Sequence, residues 1–323
     1  MLTVTDAHVT FEVAQTKRWP WSPPGIVHAV NGVSFTLKAG RTIGIVGESG
    51  CGKSTLIRAV AGLAPLAQGR VTLDGQRVDY GSRASMQRLR SRVQMIFQDP
   101  IASLNPRMTI REIVAEPLGF FRPEMDAEAR RDAALAMLDR VGIPATQANR
   151  FPHEFSGGQC QRIGIARALV AEPKVLLCDE PVSALDVSIQ AQVVNLLKAL
   201  QREIGLALVF VAHDLGVVRH ISDEVLVMYM GATMERAPAG ALVRDPQHPY
   251  TRALLSAVPV PDPRVKVAPQ MLEGDLPSPL DLPEGCLFRS RCSRAVAECG
   301  AARPPMVPTC SGEAACIRLP APA

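Results

Sequence analysis

Residues Gly47, Glu48, Ser49, Gly50, Cys51, Gly52, Lys53 and Ser54 fit the pattern G-x-x-x-x-G-K-S/T, and Thr55 follows as a further phosphate-binding candidate. Three glycines let the backbone curl until its N–H groups face one point, which suits phosphate oxygens. Lys53 would reach the outer phosphates, and the Ser54 hydroxyl would ligate Mg2+. A second glycine pair follows about a hundred residues later, in "HEFSGGQCQR". Ser156, Gly157, Gly158 and Gln159 fit a capping box, which is a purely structural reading. Two glycines in a first helical turn each cost up to about 1 kcal/mol against alanine, however. They suit a place where an anion meets the bare N–H groups of a helix start. A chain with one phosphate cradle of its own has little use for a second, so this loop is expected to serve a nucleotide bound by another subunit.

Four apolar runs end on residues suited to the same chemistry. "TIGIV" runs into Gly47, "VQMIF" ends at Gln98, "VLLC" at Asp179 and Glu180, and "LVFVA" at His213. Such runs read as buried parallel strands, and ligands of open α/β sheets bind beyond the carboxyl ends of their strands. Asp179 is then placed to hold the metal of a P-loop nucleotidase. Glu180 suits a general base that polarises water for attack on a γ-phosphate. His213 suits a group that contacts that phosphate and holds the water, and Gln98 one that completes the metal shell. Taken singly, each has a plainer reading as a surface carboxylate, a capping histidine or a turn residue. Four such endings in one chain are far harder to obtain by accident.

The elements that must position these residues follow from the pattern. From residue 41 to about residue 245, short apolar runs alternate with helical stretches, as βαβ units do. Residues 111–149 turn wholly helical, which suggests a subdomain inserted in the α/β core. The start, "MLTVTDAHVTFEV", alternates like a strand and has neither the basic flank nor the apolar block of a signal peptide. After "HPYTRALLSAVP" proline becomes dense, and a small appendage is expected from about residue 246 to 323. The composition agrees, with 47% hydrophobic but only 4% aromatic residues among 323. That points to an aliphatic core. A net charge of +4, from 35 basic and 31 acidic residues, argues against a nucleic-acid face. The local run of Arg83, Arg88, Arg90 and Arg92 reads as a solvated helix face. No apolar run approaches the roughly 20 residues that span a bilayer. The expectation is a cytoplasmic protein that meets a membrane only through partners.

"GESGCGKST", "FQDP", "FSGGQ", "LLCDEP", "SALD" and "AHD", in that order, resemble the ATP-binding subunits of ABC transporters. The resemblance implies a P-loop, RecA-like α/β fold with a mostly parallel sheet. An antiparallel β subdomain and a helical signature subdomain at about 100–170 complete a nucleotide-binding domain over 1–245. It implies ATP and Mg2+ as ligands. It also implies a head-to-tail dimer in which Ser156 to Gln159 act on the nucleotide of the facing subunit. Ser183 to Asp186 would cross the same interface.

"FQDPIASLNPRMTI", "HPYTRALLSAVPVPDP", "LEGDLPSP" and "CLFRSRC" resemble the oligopeptide and dipeptide permease branch. The insertion "RWPWSPPGIVHAVNGVSF" is similar to that of the second ATP-binding subunit in that branch. The implied partners are a sister ATP-binding subunit, two membrane permeases and an extracytoplasmic peptide-binding protein. The place is the cytoplasmic face of the bacterial inner membrane. Related subunits serve nickel, glutathione or murein-peptide import. A nucleic-acid clamp on the same core would carry a long coiled coil, yet fewer than sixty residues without sustained heptads separate Gln98 from Ser156. Two departures from the family stand out. Phe155 replaces the usual Leu, and Pro24 lies where an adenine-stacking aromatic is expected, leaving Trp21 or His28 for that role.

Five of the eight cysteines fall between residues 286 and 316, with spacings x5, x6, x10 and x5. In a reducing compartment they do not read as disulfides. Zinc sites usually bring ligands in pairs two to four residues apart, which this run lacks. Four thiolates also hold 4Fe–4S clusters at varied spacing, and a set of unligated thiols is the third reading. The resemblance maps a cluster to Cys286, Cys292, Cys299 and Cys316 and leaves Cys310 over. Cys51 lies among N–H groups and beside Lys53, which predicts a lowered thiol pKa and ready alkylation.

Overall fold

The computed structural model describes residues 1–13, 24–257, 272, 274 and 277–319. Trp21, with the rest of residues 14–23, and the proline-dense stretch 258–271 lie outside them. The chain forms two compact units. The first holds Leu37–Thr42 and Val78–Ala212, and the second holds Leu2–Thr36, Ile43–Arg77 and His213–Ala323.

In the first unit, strands Val93–Ile96, Val175–Asp179 and Ala207–Val211 lie side by side and parallel. Every residue of the latter two is buried. That is why these runs are apolar throughout rather than alternating, since both faces are covered. The register sets Ile96 opposite Cys178, and Asp179 opposite Val211. The residues following these strands therefore emerge at one edge. Strand Val93–Ile96 ends one residue earlier than its apolar run, which leaves Phe97 partly exposed.

The helical block of this unit is built from Ile110–Phe121, Ala127–Arg140 and Gly157–Leu169, which pack on one another. Ile110, Ile113, Val114, Leu118, Leu138 and Ile163 supply its buried face. Thr109 and Glu112 form a capping box at the first helix, and the Asp126 carboxylate caps the second. Helix Arg83–Arg92 exposes all four arginines of the basic run, as a solvated face should.

In the second unit, one sheet has the order Gly25–Leu37, Leu2–Val13, Gln68–Leu73, Gln76–Arg77. The buried positions of the first strand change phase from Leu2 and Val4 to Ala7 and Val9. The cause is an irregularity between Thr5 and His8, where Asp6 takes φ 49. Elsewhere in this unit, strand Thr42–Val46 runs parallel to Glu224–Tyr229, which pairs antiparallel with Ala232–Pro238. The short strand Glu313–Ala314 then pairs with Ala232–Pro238, and Val307–Pro308 pairs with Glu313–Ala314. The cysteine-bearing tail thus joins the sheet by backbone hydrogen bonds.

Candidate nucleotide site and the tail that grips it

Within the second unit, strand Thr42–Val46 runs into the glycine loop, and helix Lys53–Val60 leaves it. Gly47 has φ 155 and Gly52 has φ 98. A Cβ at Gly47 would run into the Met228 carbonyl, and one at Gly52 into the Ala29 carbonyl. These two glycines are required by close approach of backbone as well as by φ. A Cβ on Gly50 would meet nothing within 4 Å. Ser49 and Gly50 are exposed, and Ser54 and Thr55 are half-buried. Lys53 is only 4% exposed, and its Nζ donates to the carbonyls of Gly47 (2.8 Å) and Glu48 (2.9 Å). The lysine is held across its own loop.

Cys51 departs from expectation. It is 1% exposed, and burial pushes its thiol pKa up by more than Lys53 lowers it. A buried neutral thiol is a poor nucleophile. Cys160 and Cys178 are also buried, as packing residues should be.

In the first unit the structure brings Gln98 and Glu180 together. Gln98 Nε2 donates to Glu180 Oε2 at 3.2 Å, which leaves the Gln98 Oε1 oxygen as the amide's acceptor. Asp179 is fully buried at its strand end. Glu180 follows in a left-handed conformation, φ 46, which is rare for a residue with a side chain. Strain of this kind, about 1–3 kcal/mol, persists only where neighbours over-determine it. Here Glu180 N–H donates to the Val211 carbonyl at 3.1 Å, and Ser183 Oγ donates to the Glu180 carbonyl at 3.0 Å. The left-handed residue ends the extended run of the strand.

Ser156 does form the expected capping box. Its Oγ accepts from Gln159 N–H, and Gln159 Oε1 accepts from Ser156 N–H at 3.0 Å. The two glycines between them are not equivalent. A Cβ on Gly158 would lie 2.6 Å from Ile189 Cγ2, so packing within this unit already requires that glycine. A Cβ on Gly157 would sit 3.7 Å from Leu185 Cδ2, an ordinary contact. Packing therefore explains Gly158 and leaves Gly157 unexplained. Nearby, Asp186 caps helix Val187–Ile204 through Ile189 N–H at 3.0 Å.

His213 belongs to the second unit, where it is exposed just before Asp214, the cap of helix Leu215–Ile221. His28 is half-buried, with its N–H on the Pro279 carbonyl at 3.0 Å, and Pro24 is exposed.

The tail supplies contacts that sequence reasoning missed. Buried Glu235 accepts the N–H groups of Gln247 and His248, each at 2.8 Å, and so seats helix Pro249–Ser256. Burial raises the Glu235 carboxyl and pushes His248 down to about 4, leaving a neutral ring whose Nδ1 accepts from Tyr250 N–H. Tyr250, fully buried, accepts the backbone N–H of Glu48 on its hydroxyl at 2.9 Å. Arg291 closes a two-pronged ion pair on the Glu48 carboxylate at 2.6 and 3.1 Å. "HPY" and "CLFRSRC" were visible as family marks. Nothing in their spacing connects them to a glycine loop about two hundred residues earlier.

Cys286, Cys292, Cys299 and Cys316 line one pocket, together with His248 and Phe288. Cys310 stands apart, exposed, with its Sγ 3.3 Å from Asp245 Oδ2. The four thiols share a cavity without standing in ligand geometry: among the described residues, no three His, Cys, Asp or Glu groups are arranged to hold a metal ion.

The family model for the ABC transporter domain matches residues 30–183, and that for the oligopeptide/dipeptide transporter C-terminal region matches residues 234–299. The oligopeptide transport ATP-binding protein OppF of Escherichia coli is 53% identical over 321 residues, 99% of this chain and 96% of that protein. This chain belongs to the ABC transporter ATP-binding proteins of the oligopeptide/dipeptide group. The putative oligopeptide transport ATP-binding protein YkfD of Bacillus subtilis is 52% identical, covering 86% of this chain and 85% of that one. Among solved structures, the ATP-binding cassette MJ0796, described as a dimeric post-hydrolysis state bound to ADP and Pi, matches with TM-score 0.64 at 30% identity. The match covers 74% of this chain and 99% of that one. The α/β cassette architecture is that of these structures. Among the described residues no helix is long and apolar enough to cross a membrane.

Two expectations follow. Gly157→Ala keeps or raises the melting temperature yet lowers ATP turnover of the assembled system at least tenfold, whereas Gly158→Ala lowers the melting temperature through Ile189; calorimetry and phosphate release read both. Cys51 of the folded chain reacts with iodoacetamide far more slowly than exposed Cys310, as mass spectrometry of the labelled protein would show.

Proposed function

We propose that this chain hydrolyses MgATP to energise import of oligopeptides or dipeptides across the bacterial cytoplasmic membrane, as a peripheral subunit on its cytoplasmic face. The observation that carries this reading is the pairing, in one chain, of the ATPase motifs with the peptide-transporter C-terminal region. Relatives over nearly its whole length are named for oligopeptide transport.

In this reading Ser49 to Thr55 offer backbone N–H groups to the phosphates, and Lys53 adds its charge. Asp179, Ser54 and the free oxygen of Gln98 are hard donors of the kind Mg2+ takes. When bound, Mg2+ neutralises charge building on the phosphates. Glu180 accepts a proton from the attacking water as its oxygen bonds to the γ-phosphorus. The bond to the bridging oxygen breaks, and that oxygen leaves with its electron pair on ADP. His213 orients the water against the γ-phosphate. Ser156 to Gln159 close on the nucleotide of a facing copy or sister ATP-binding subunit. Two membrane permeases and an extracytoplasmic peptide-binding protein complete the assembly.

Glu180→Gln keeps ATP binding and lowers hydrolysis by two orders of magnitude or more, the scale of lost general-base catalysis. Turnover equal to wild type in that variant would remove Glu180 from its role.

The cysteine pocket is read as the seat of a 4Fe–4S cluster on Cys286, Cys292, Cys299 and Cys316. The donor set fits. Four cysteines line one pocket, and Arg289, Arg294 and Arg318 on the same lining would offset the charge of a thiolate-bound cluster. Such a group, when bound, would cross-link turns that have little regular structure. Protein purified without oxygen should be brown and carry iron and sulfide in equal amounts. Cys310→Ser keeps that colour and Cys299→Ser loses it, whereas colourless wild-type protein free of iron would reject the cluster.

A further inference from the structure

Glu48 puts a carboxylate in the sequence of the phosphate loop, where its negative charge would oppose bound phosphate. Arg291 balances that charge. The pair is bidentate at 2.6 and 3.1 Å, with the Arg291 side chain 8% exposed and that of Glu48 28% exposed. Water screens such a pair poorly, so its charge balance reaches whatever the loop holds. Arg291 is itself fixed. It ends the short turn Arg289–Arg291, and its guanidinium lies 5.9 Å from the ring centroid of Tyr229. Tyr229 packs edge-on against Tyr250 (4.9 Å) and Phe288 (5.3 Å). Tyr250 holds the backbone of the same Glu48 through its N–H. One residue of the loop is thus gripped at both backbone and side chain by the C-terminal tail.

We propose that Arg291 is a positioning residue for nucleotide binding: by neutralising and steering Glu48 away from the phosphates, it lets the glycine loop accept them. The tail is then part of the ATP-binding apparatus and not merely an appendage to it. This rests on the nucleotide reading of the loop, and the experiment separates the two.

Full-length wild type, Arg291→Ala, Glu48→Gln and the double variant are titrated with MgADP by calorimetry, with melting temperatures recorded alongside. Wild type binds. Arg291→Ala binds at least tenfold more weakly, because an uncompensated carboxylate then stands on the loop that takes the phosphates. Glu48→Gln in the Arg291→Ala background restores affinity to within about threefold of wild type, because it removes the charge that Arg291 had offset. A role in folding alone moves the melting temperatures and leaves the affinity of the folded protein unchanged in Arg291→Ala. Arg291→Ala binding as tightly as wild type, or a double variant as weak as the single one, would overturn the proposal. Absence of MgADP binding by wild type would instead reject the nucleotide reading on which it stands.

Discussion

Bringing a polyanion against bare backbone is the constraint to which the rest of this structure answers. Backbone N–H groups bind phosphate well only if no side chain stands in front of them and the loop cannot collapse into some other conformation. Gly47 and Gly52 meet the first demand by letting the loop press against the carbonyls of Met228 and Ala29. Buried Lys53 meets the second, tied to the carbonyls of Gly47 and Glu48. The strand before the loop is wholly buried, so the curl begins from a fixed base.

The same economy appears at Glu180. Glu180 follows its strand in a left-handed conformation that few residues with a side chain adopt. The strain of that conformation is tolerated because Val211, Ser183 and Gln98 each hold one part of the residue. In the tail, buried Glu235 does comparable work. It orders a helix start by accepting two backbone N–H groups, and so delivers Tyr250 to the loop.

Much of this was legible in the sequence, for identifiable reasons. Buried parallel strands write themselves as unbroken aliphatic runs, and each of the four expected runs holds a strand. The capping box at Ser156 is a local pattern with a local cause. Long-range partnership was not legible. The difference between Gly157 and Gly158 depends on Ile189, and the fate of Glu48 on Arg291. The Cys51 thiol reads as activated when only its sequence neighbours are counted, and burial reverses that. The bulge at Asp6 shifts a strand by one face, which simple alternation does not record. Spacing reports what neighbours in sequence can do together, whereas burial and charge balance are set by residues far along the chain.

In the proposed function one copy of this chain carries only half of each working pocket. The direct measurement is the ATPase rate per molecule as concentration rises from the monomeric range, with light scattering recording the association state and with the sister ATP-binding subunit added in parallel. The account requires turnover per molecule to climb with association, through self-pairing or on addition of the sister. A rate per molecule that is already full in the strictly monomeric range, and indifferent to the sister, would contradict it.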